Sequence, residues 1–297
     1  MAAASRPVPP IGWRVGFVST TKVVLLRASS PPYADRSAIP NMLTGHGVTH
    51  PGRVRKSNED SLLSDPRLGL FLVADGMGGH NAGEVASRLA VEAIKGFLDR
   101  STGGDDFTWP YGIDPRLSFQ GNRLMTAIRL ANRRVFKAGE SRDEYTGLGT
   151  TVVAALIEED LLTFSGVGDS RIYVCASGTL EQITQDDSWV ATVLAREPGM
   201  EDAAALATHP MRHVLTNVLG ARDQMDMEVG ERTFAAGERL LLCSDGLHGA
   251  LDDTTLLGVL SASATAQQAA EELVRLALER DGSDNITALV VEMGREA

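Results

Sequence analysis

Residues 150–175 read TTVVAALIEEDLLTFSGVGDSRIYVC. The run from Thr150 to Leu156 has strand length and is rich in β-branched residues, Glu158-Glu-Asp160 turns it, and Leu161 to Ser165 is its hairpin partner. Arg171 to Cys175 continues the sheet and Ala176-Ser-Gly178 turns again. Outward from this stretch, Gly69 to Ala74 is another apolar run of strand length, stopped by Asp75-Gly76. Arg239 to Cys243 and Ile286 to Met293 complete the set. Gly83 to Leu98 places Val85, Leu89, Ala93 and Phe97 at i, i+4 spacing, with Ala86, Ala90 and Ile94 beside them, which predicts an amphipathic helix. Two more helices are predicted over 122–138 and about 265–280. Strands and helices come in blocks, not in strict alternation. That pattern argues for an α+β chain with antiparallel sheet and helices outside, and against a doubly wound parallel sheet.

Composition narrows the function. A net charge of −11 argues against a nucleic-acid partner, which needs a basic face. Neither cysteine, Cys175 or Cys243, has disulfide-scaffold or zinc-knuckle spacing, and each lies in an apolar run. They read as buried thiols in a reducing compartment, so a cytoplasmic location is expected. No apolar stretch approaches the ~18–20 residues of a membrane helix, so no membrane partner is expected. Residues 1–41 differ from the rest, with Pro7, Pro9, Pro10, Pro31, Pro32 and Pro40 and the single acid Asp35. They read as a disordered or mis-assigned lead, with Met42 the true start in the second case; a transit peptide is the weaker alternative. The span 42–297 is the globular domain.

The acids stand where the strands stop. Asp75 follows Phe-Leu-Val-Ala, Asp169 follows Phe-Ser-Gly-Val-Gly, Asp245 follows Leu-Leu-Leu-Cys-Ser, and Asp284 precedes Asn-Ile-Thr-Ala-Leu-Val-Val. A carboxylate at the end of a buried strand is costly unless it is paired or bound to a metal. One Asp-Gly is an ordinary turn; several such acids in one domain weaken that reading. Hard divalent cations prefer such oxygen ligands, and two of them side by side can activate a water and neutralise a phosphoryl group. Glu59 and Asp60 add oxygens, and Arg55, four residues before Glu59, carries a planar fork that matches phosphate.

These residues, in order, resemble a known family. Arg55-x-x-x-Glu59-Asp60, Val73-Ala-Asp75-Gly76-Met77-Gly78-Gly79-His80, Gly149-Thr-Thr151, Gly166-Val-Gly-Asp169-Ser-Arg171, Ser244-Asp245-Gly246-Leu247 and Asp284-Asn285 look like the motif series of the metal-dependent type 2C protein serine/threonine phosphatases, in their bacterial form. The resemblance spans roughly Thr44 to Glu292. It implies a four-layer αββα sandwich of two antiparallel sheets flanked by helices. The implied cofactor is a pair of Mn²⁺ or Mg²⁺ ions with a weaker third. By similarity Asp75 bridges the pair and the Gly76 carbonyl binds one ion. Asp245 and Asp284 hold the other, Glu59 and Asp60 sit near them directly or through water, and Asp169 serves the third. Arg55 clamps the substrate phosphate. The implied reaction is hydrolysis of phosphoserine and phosphothreonine in proteins by a metal-activated water, reversing a Ser/Thr kinase. That kinase and its substrates are the implied partners.

The chain departs from the family's pattern in places. No histidine lies between His50 and Asp75, and His80 stands as a substitute acid or a turn residue. Gly249 occupies the position of a second carboxylate for the third metal. Asp187 stands where a histidine is common, and His213 where asparagine is frequent. His209 and His213 share i, i+4 spacing across Pro210 without a third ligand. Two other functions stay open: a small-molecule phosphoesterase on the same scaffold, and a silent phosphoprotein-binding scaffold. The intact Asp75, Asp245 and Asp284 argue against the second.

Overall fold

In the strand Leu70–Met77, labelled β3, the side chains of Leu70, Leu72 and Ala74 join one hydrophobic cluster and those of Phe71 and Val73 another, and all five are fully buried. The same division holds in β10 (Arg239–Cys243) and β11 (Ile286–Met293). There Leu241, Cys243, Ala288 and Val290 face one way, and Leu240, Leu242, Leu289 and Val291 the other. Side chains alternate across a strand, so a continuous apolar run means that both faces are covered. This follows from the layering. The computed structural model describes residues 43–79, 82–102, 109–141, 143–145, 147–196, 209–211 and 214–294. The lead 1–41, His80 and His213 lie outside the described residues.

One sheet runs β1 (Leu43–His50), β11, β10, β7 (Arg171–Ala176), β8 (Thr179–Gln182). The other runs β2 (Asp60–Asp65), β3, β5 (Val152–Glu158), β6 (Leu161–Val167), β9 (Val229–Thr233), with the short β4 (Gly149–Thr150) against β3. Every named pair is antiparallel. Helices α1 (Ala82–Arg100) and α2 (Phe119–Ser141) cover the second sheet. Between β8 and β9 lies α3 (Trp189–Arg196), and α4 (Asp245–His248) follows β10. Helices α5 (Asp253–Ala262) and α6 (Ala266–Arg280) cover the first sheet. Three apolar clusters therefore separate four layers, the middle one lying between the two sheets. The expected αββα sandwich of α+β class is the observed fold.

Strands β1 and β2 lie where the sequence pattern predicted no strand. Glycine replaces an apolar side chain at Gly45, where a Cβ would overlap the Phe71 ring of the facing sheet. The hairpin β7–β8 turns on Ser177-Gly178, both at positive φ (51° and 79°), the backbone a two-residue hairpin of the I′ type needs.

Candidate metal centre

The strand-end acids meet at one end of the sandwich. Asp60 opens β2 directly opposite Asp75 on β3. Asp245 begins α4 after β10, Asp284 lies just before β11, and Asp169 sits in the β6–β7 turn. Burial, and after it the charges of Asp60, Asp245, Asp169 and Asp284, hold the Asp75 carboxyl well above the usual carboxylate range. Burial and then Asp245 and Asp186 push Asp169 up to about 7. Burial likewise raises Glu59, against the pull of Arg55.

Asp60 is the most constrained of the group. Its Oδ2 accepts from Ser244 Oγ at 2.8 Å and Thr287 Oγ1 at 2.6 Å, while the Thr287 amide donates to Ser244 Oγ at 3.0 Å. Despite these donors, burial pushes its pKa up to about 6. Its Oδ1 is buried with no hydrogen-bond partner. A buried carboxylate oxygen without a donor, among carboxyls that raise one another's pKa, is the chemistry a hard cation satisfies. Among the described residues no three His, Cys, Asp or Glu side chains form a preformed cation cage. An all-oxygen site for Mg²⁺ needs none, because that ion keeps several waters and binds through one or two carboxylates.

The neighbouring motifs hold these acids in place. The Asp75 amide donates to Thr151 Oγ1 at 3.0 Å, and its carbonyl accepts from Thr150 Oγ1 and the Thr151 amide, each at 2.8 Å. Beyond Asp75, the Gly76 amide donates to the Glu59 carbonyl at 3.1 Å, and a Cβ at Gly76 would overlap the Gly83 carbonyl of α1. Only glycine lets the helix start come this close to the strand end. Asn285 staples the loop before β2: its Nδ2 donates to the carbonyls of Pro51 (3.0 Å) and Ser57 (2.9 Å), and its Oδ1 accepts from the Glu59 amide (2.8 Å). That loop carries Arg55, whose Nη2 lies 2.7 Å from Asp284 Oδ2.

The departures acquire places too. His248 Nε2 lies 3.0 Å from the Asp169 carbonyl, so that nitrogen carries the proton; burial pushes the ring's pKa down to about 4. Gly249 caps α4 and brings no carboxylate to Asp169. The Asp187 carboxylate accepts from the Gly168 amide at 3.2 Å and from Asn217 Nδ2 at 2.9 Å. His209 stacks on Trp189, ring centroids 4.3 Å apart. Sequence reading did not assign roles to Thr151, Ser244, Asn285 and Thr287. Three of them lie inside quoted motifs; Thr287 has only the signal of a polar residue within an apolar strand.

The two-sheet sandwich thus gathers its strand-end acids at one end. The profile of the protein phosphatase 2C family matches residues 53–280, and the chain belongs to that family. It is 35% identical over 242 residues to the serine/threonine protein phosphatase PstP of Mycobacterium tuberculosis, which covers 82% of this chain but 43% of that relative. The chain thus spans less than half the length of PstP. It is 33% identical to the serine/threonine phosphatase Stp of Listeria welshimeri over 82% of this chain and 93% of that one. The crystal structure of M. tuberculosis PstP superimposes with a TM-score of 0.74 at 34% identity, covering 85% of this chain and 99% of that chain. A structure of the PstP catalytic domain in complex with two manganese ions superimposes with a TM-score of 0.72 at 33% identity, with the same coverage.

Proposed function

We propose that the chain hydrolyses phosphoserine and phosphothreonine esters in proteins, using two Mn²⁺ or Mg²⁺ ions held at the acid-bearing end of the sandwich. The observation that carries this reading is the buried carboxyl group of Asp75, raised by burial and by four neighbouring acids. Asp75 would hold both ions with the Gly76 carbonyl on one, and Asp245 and Asp284 on the other. Glu59 and Asp60 would sit beside them, and Asp169 would serve a weaker third ion. When bound, such ions supply an activated water and neutralise charge on the phosphoryl group.

The chain's own residues do the rest. Ser244 and Thr287 orient Asp60, Thr150 and Thr151 fix the Asp75 backbone, and Asn285 holds the Arg55 loop. Arg55 is half-exposed and hydrogen-bonds Asp284 through Nη2, so the rest of its fork can meet phosphate oxygens. Cys243 is buried and its thiol is pushed up to about 12, so it stays protonated and is no nucleophile. The proposed partners are phosphorylated Ser/Thr proteins, with a Ser/Thr kinase acting in opposition. No helix among the described residues is long and apolar enough to cross a membrane. A cytoplasmic location is proposed from the free cysteines.

The test compares phosphothreonine and phosphotyrosine peptides with and without Mn²⁺. Metal-dependent release of phosphate from phosphothreonine is expected. Equal rates in chelator, or hydrolysis confined to phosphotyrosine, would overturn the reading.

A further inference from the structure

On the side of the sandwich where β8 and β9 form the sheet edges lies a cavity of about 790 Å³. Its floor is β6, one wall is the chain leaving β8, the other is the stretch leading into β9, and the first turn of α3 lines it as well. Its lining includes the acids Asp186, Asp187, Asp226 and Glu228 and the apolar Ile183 and Met227. Among the described residues no Lys or Arg lines it.

The four acids are not equivalent. Asp186 is already matched by Arg171, whose Nη2 lies 2.8 Å from Oδ2, and by Gln182 Nε2 at 2.8 Å. Asp187 is half-buried and holds the Gly168 amide and Asn217. Asp226 and Glu228 are exposed, and no cation among the described residues pairs with either. An open edge strand, apolar side chains and two unmatched carboxylates together suit an extended peptide that carries a cationic side chain. The volume exceeds what a single side chain fills.

The cavity is also tied to the acid-bearing end. The Asp187 amide donates to the Gly168 carbonyl at 2.7 Å, one residue before Asp169. The groove therefore borders the segment that carries Asp169. We propose that the groove between β8 and β9 binds a Lys- or Arg-bearing segment of the phosphoprotein substrate, next to the phosphorylated residue. The proposal rests on the phosphatase reading for the identity of that segment.

The experiment uses the full chain and two phosphothreonine peptides of equal length, one with Lys and Arg flanking the phosphoresidue and one with Gln and Ser instead. Turnover is read as the ratio of the two kcat/KM values. Binding of the unphosphorylated forms is read in parallel by fluorescence anisotropy. The expected ratio is about three- to tenfold in favour of the basic peptide, within the range two exposed ion pairs supply, and it shrinks as salt is raised. Combining Asp226→Asn with Glu228→Gln should bring the ratio to about one, and Glu228→Lys should turn it toward an acidic peptide. Equal kcat/KM and equal binding in the unaltered chain, or a preference that survives both sets of substitutions, would overturn the groove. Absence of turnover on both peptides with the binding preference intact would instead overturn the phosphatase reading and leave the groove standing.

Discussion

The Arg55 guanidinium lies 2.7 Å from the Asp284 carboxylate and so ties the loop before β2 to the start of β11. Glu59 and Asp75 add their attraction, which places one cation at the rim of a group of acids. The carboxylate in contact with it is Asp284, not Glu59 four positions on. Arg55→Ala is expected to raise KM for phosphopeptides by about ten- to a hundredfold, the worth of a charge-assisted contact of roughly 1.5–3 kcal/mol. Lys should rescue only part, because it lacks the planar fork. A role confined to phosphate binding would leave metal affinity unchanged. The contact with Asp284 revises this: removing a positive charge there should tighten Mn²⁺ binding. Weakened Mn²⁺ binding with KM unchanged at saturating metal would show that Arg55 only orders the loop.

Asp75→Asn keeps the size of the side chain and removes the charge that four neighbouring acids oppose. Phosphopeptide hydrolysis is expected to vanish. In chelator the variant should melt above the unaltered protein, because a buried like-charge conflict is relieved. In saturating Mn²⁺ the order should reverse, since only the unaltered site gains the binding free energy. Turnover near the original level in Mn²⁺ would sink the assignment of Asp75.

What could be read in the chain and what could not divide along a physical line. Strands β3, β10 and β11 were legible because both of their faces are buried, which writes an unbroken apolar run. Strand β1 was not, because Gly45 stands where the two sheets touch and no side chain fits. The acids of the site were legible because a carboxylate beside a buried strand is anomalous wherever it occurs. The hydroxyls that hold them were not: threonine is an ordinary strand former. That Thr287 reaches Asp60 depends on which strand lies next to which, over 227 positions of chain. Asp187 stood out as a departure from the family's pattern. Its link to Gly168 appears only once the β6–β7 turn and the segment after β8 come together.

The raised carboxyls give the metal-free protein a pH signature. A carboxyl whose pKa is higher when folded binds more protons in the folded state, so stability falls as pH rises through the window between its two values. Asp169, at about 7, still titrates above pH 6.5; the Asp75 carboxyl is displaced in the same direction, by burial first and its acidic neighbours after. His248 works in the opposite direction, because its pKa is pushed down to about 4 from 6.5; its contribution is complete above 6.5 and adds no slope there. The melting temperature in chelator should therefore fall between about pH 6.5 and 8. Asp169→Asn should flatten the decline, and saturating Mn²⁺ should remove it. A melting temperature that rises with pH across this window in chelator would contradict the burial of these carboxyls.

Asn285 offers a test of how the loop that carries Arg55 is held. Its side chain is buried and makes three hydrogen bonds to the backbone of 51–59, two as donor and one as acceptor. Asn285→Ala leaves the Pro51 and Ser57 carbonyls and the Glu59 amide without that partner, at an expected cost of about 1–3 kcal/mol in denaturant unfolding. Asn285→Asp keeps the acceptor for Glu59 but turns an oxygen toward two carbonyls and adds a charge beside Asp284, so it should rescue nothing. Because the loop carries Arg55, KM should rise more than kcat falls. Amide exchange within 52–59 should accelerate while exchange in β3 and β10 stays slow, since those strands keep both of their packed faces. Uniform acceleration across the whole domain would show a general loss of stability and would remove Asn285 from any role in positioning Arg55.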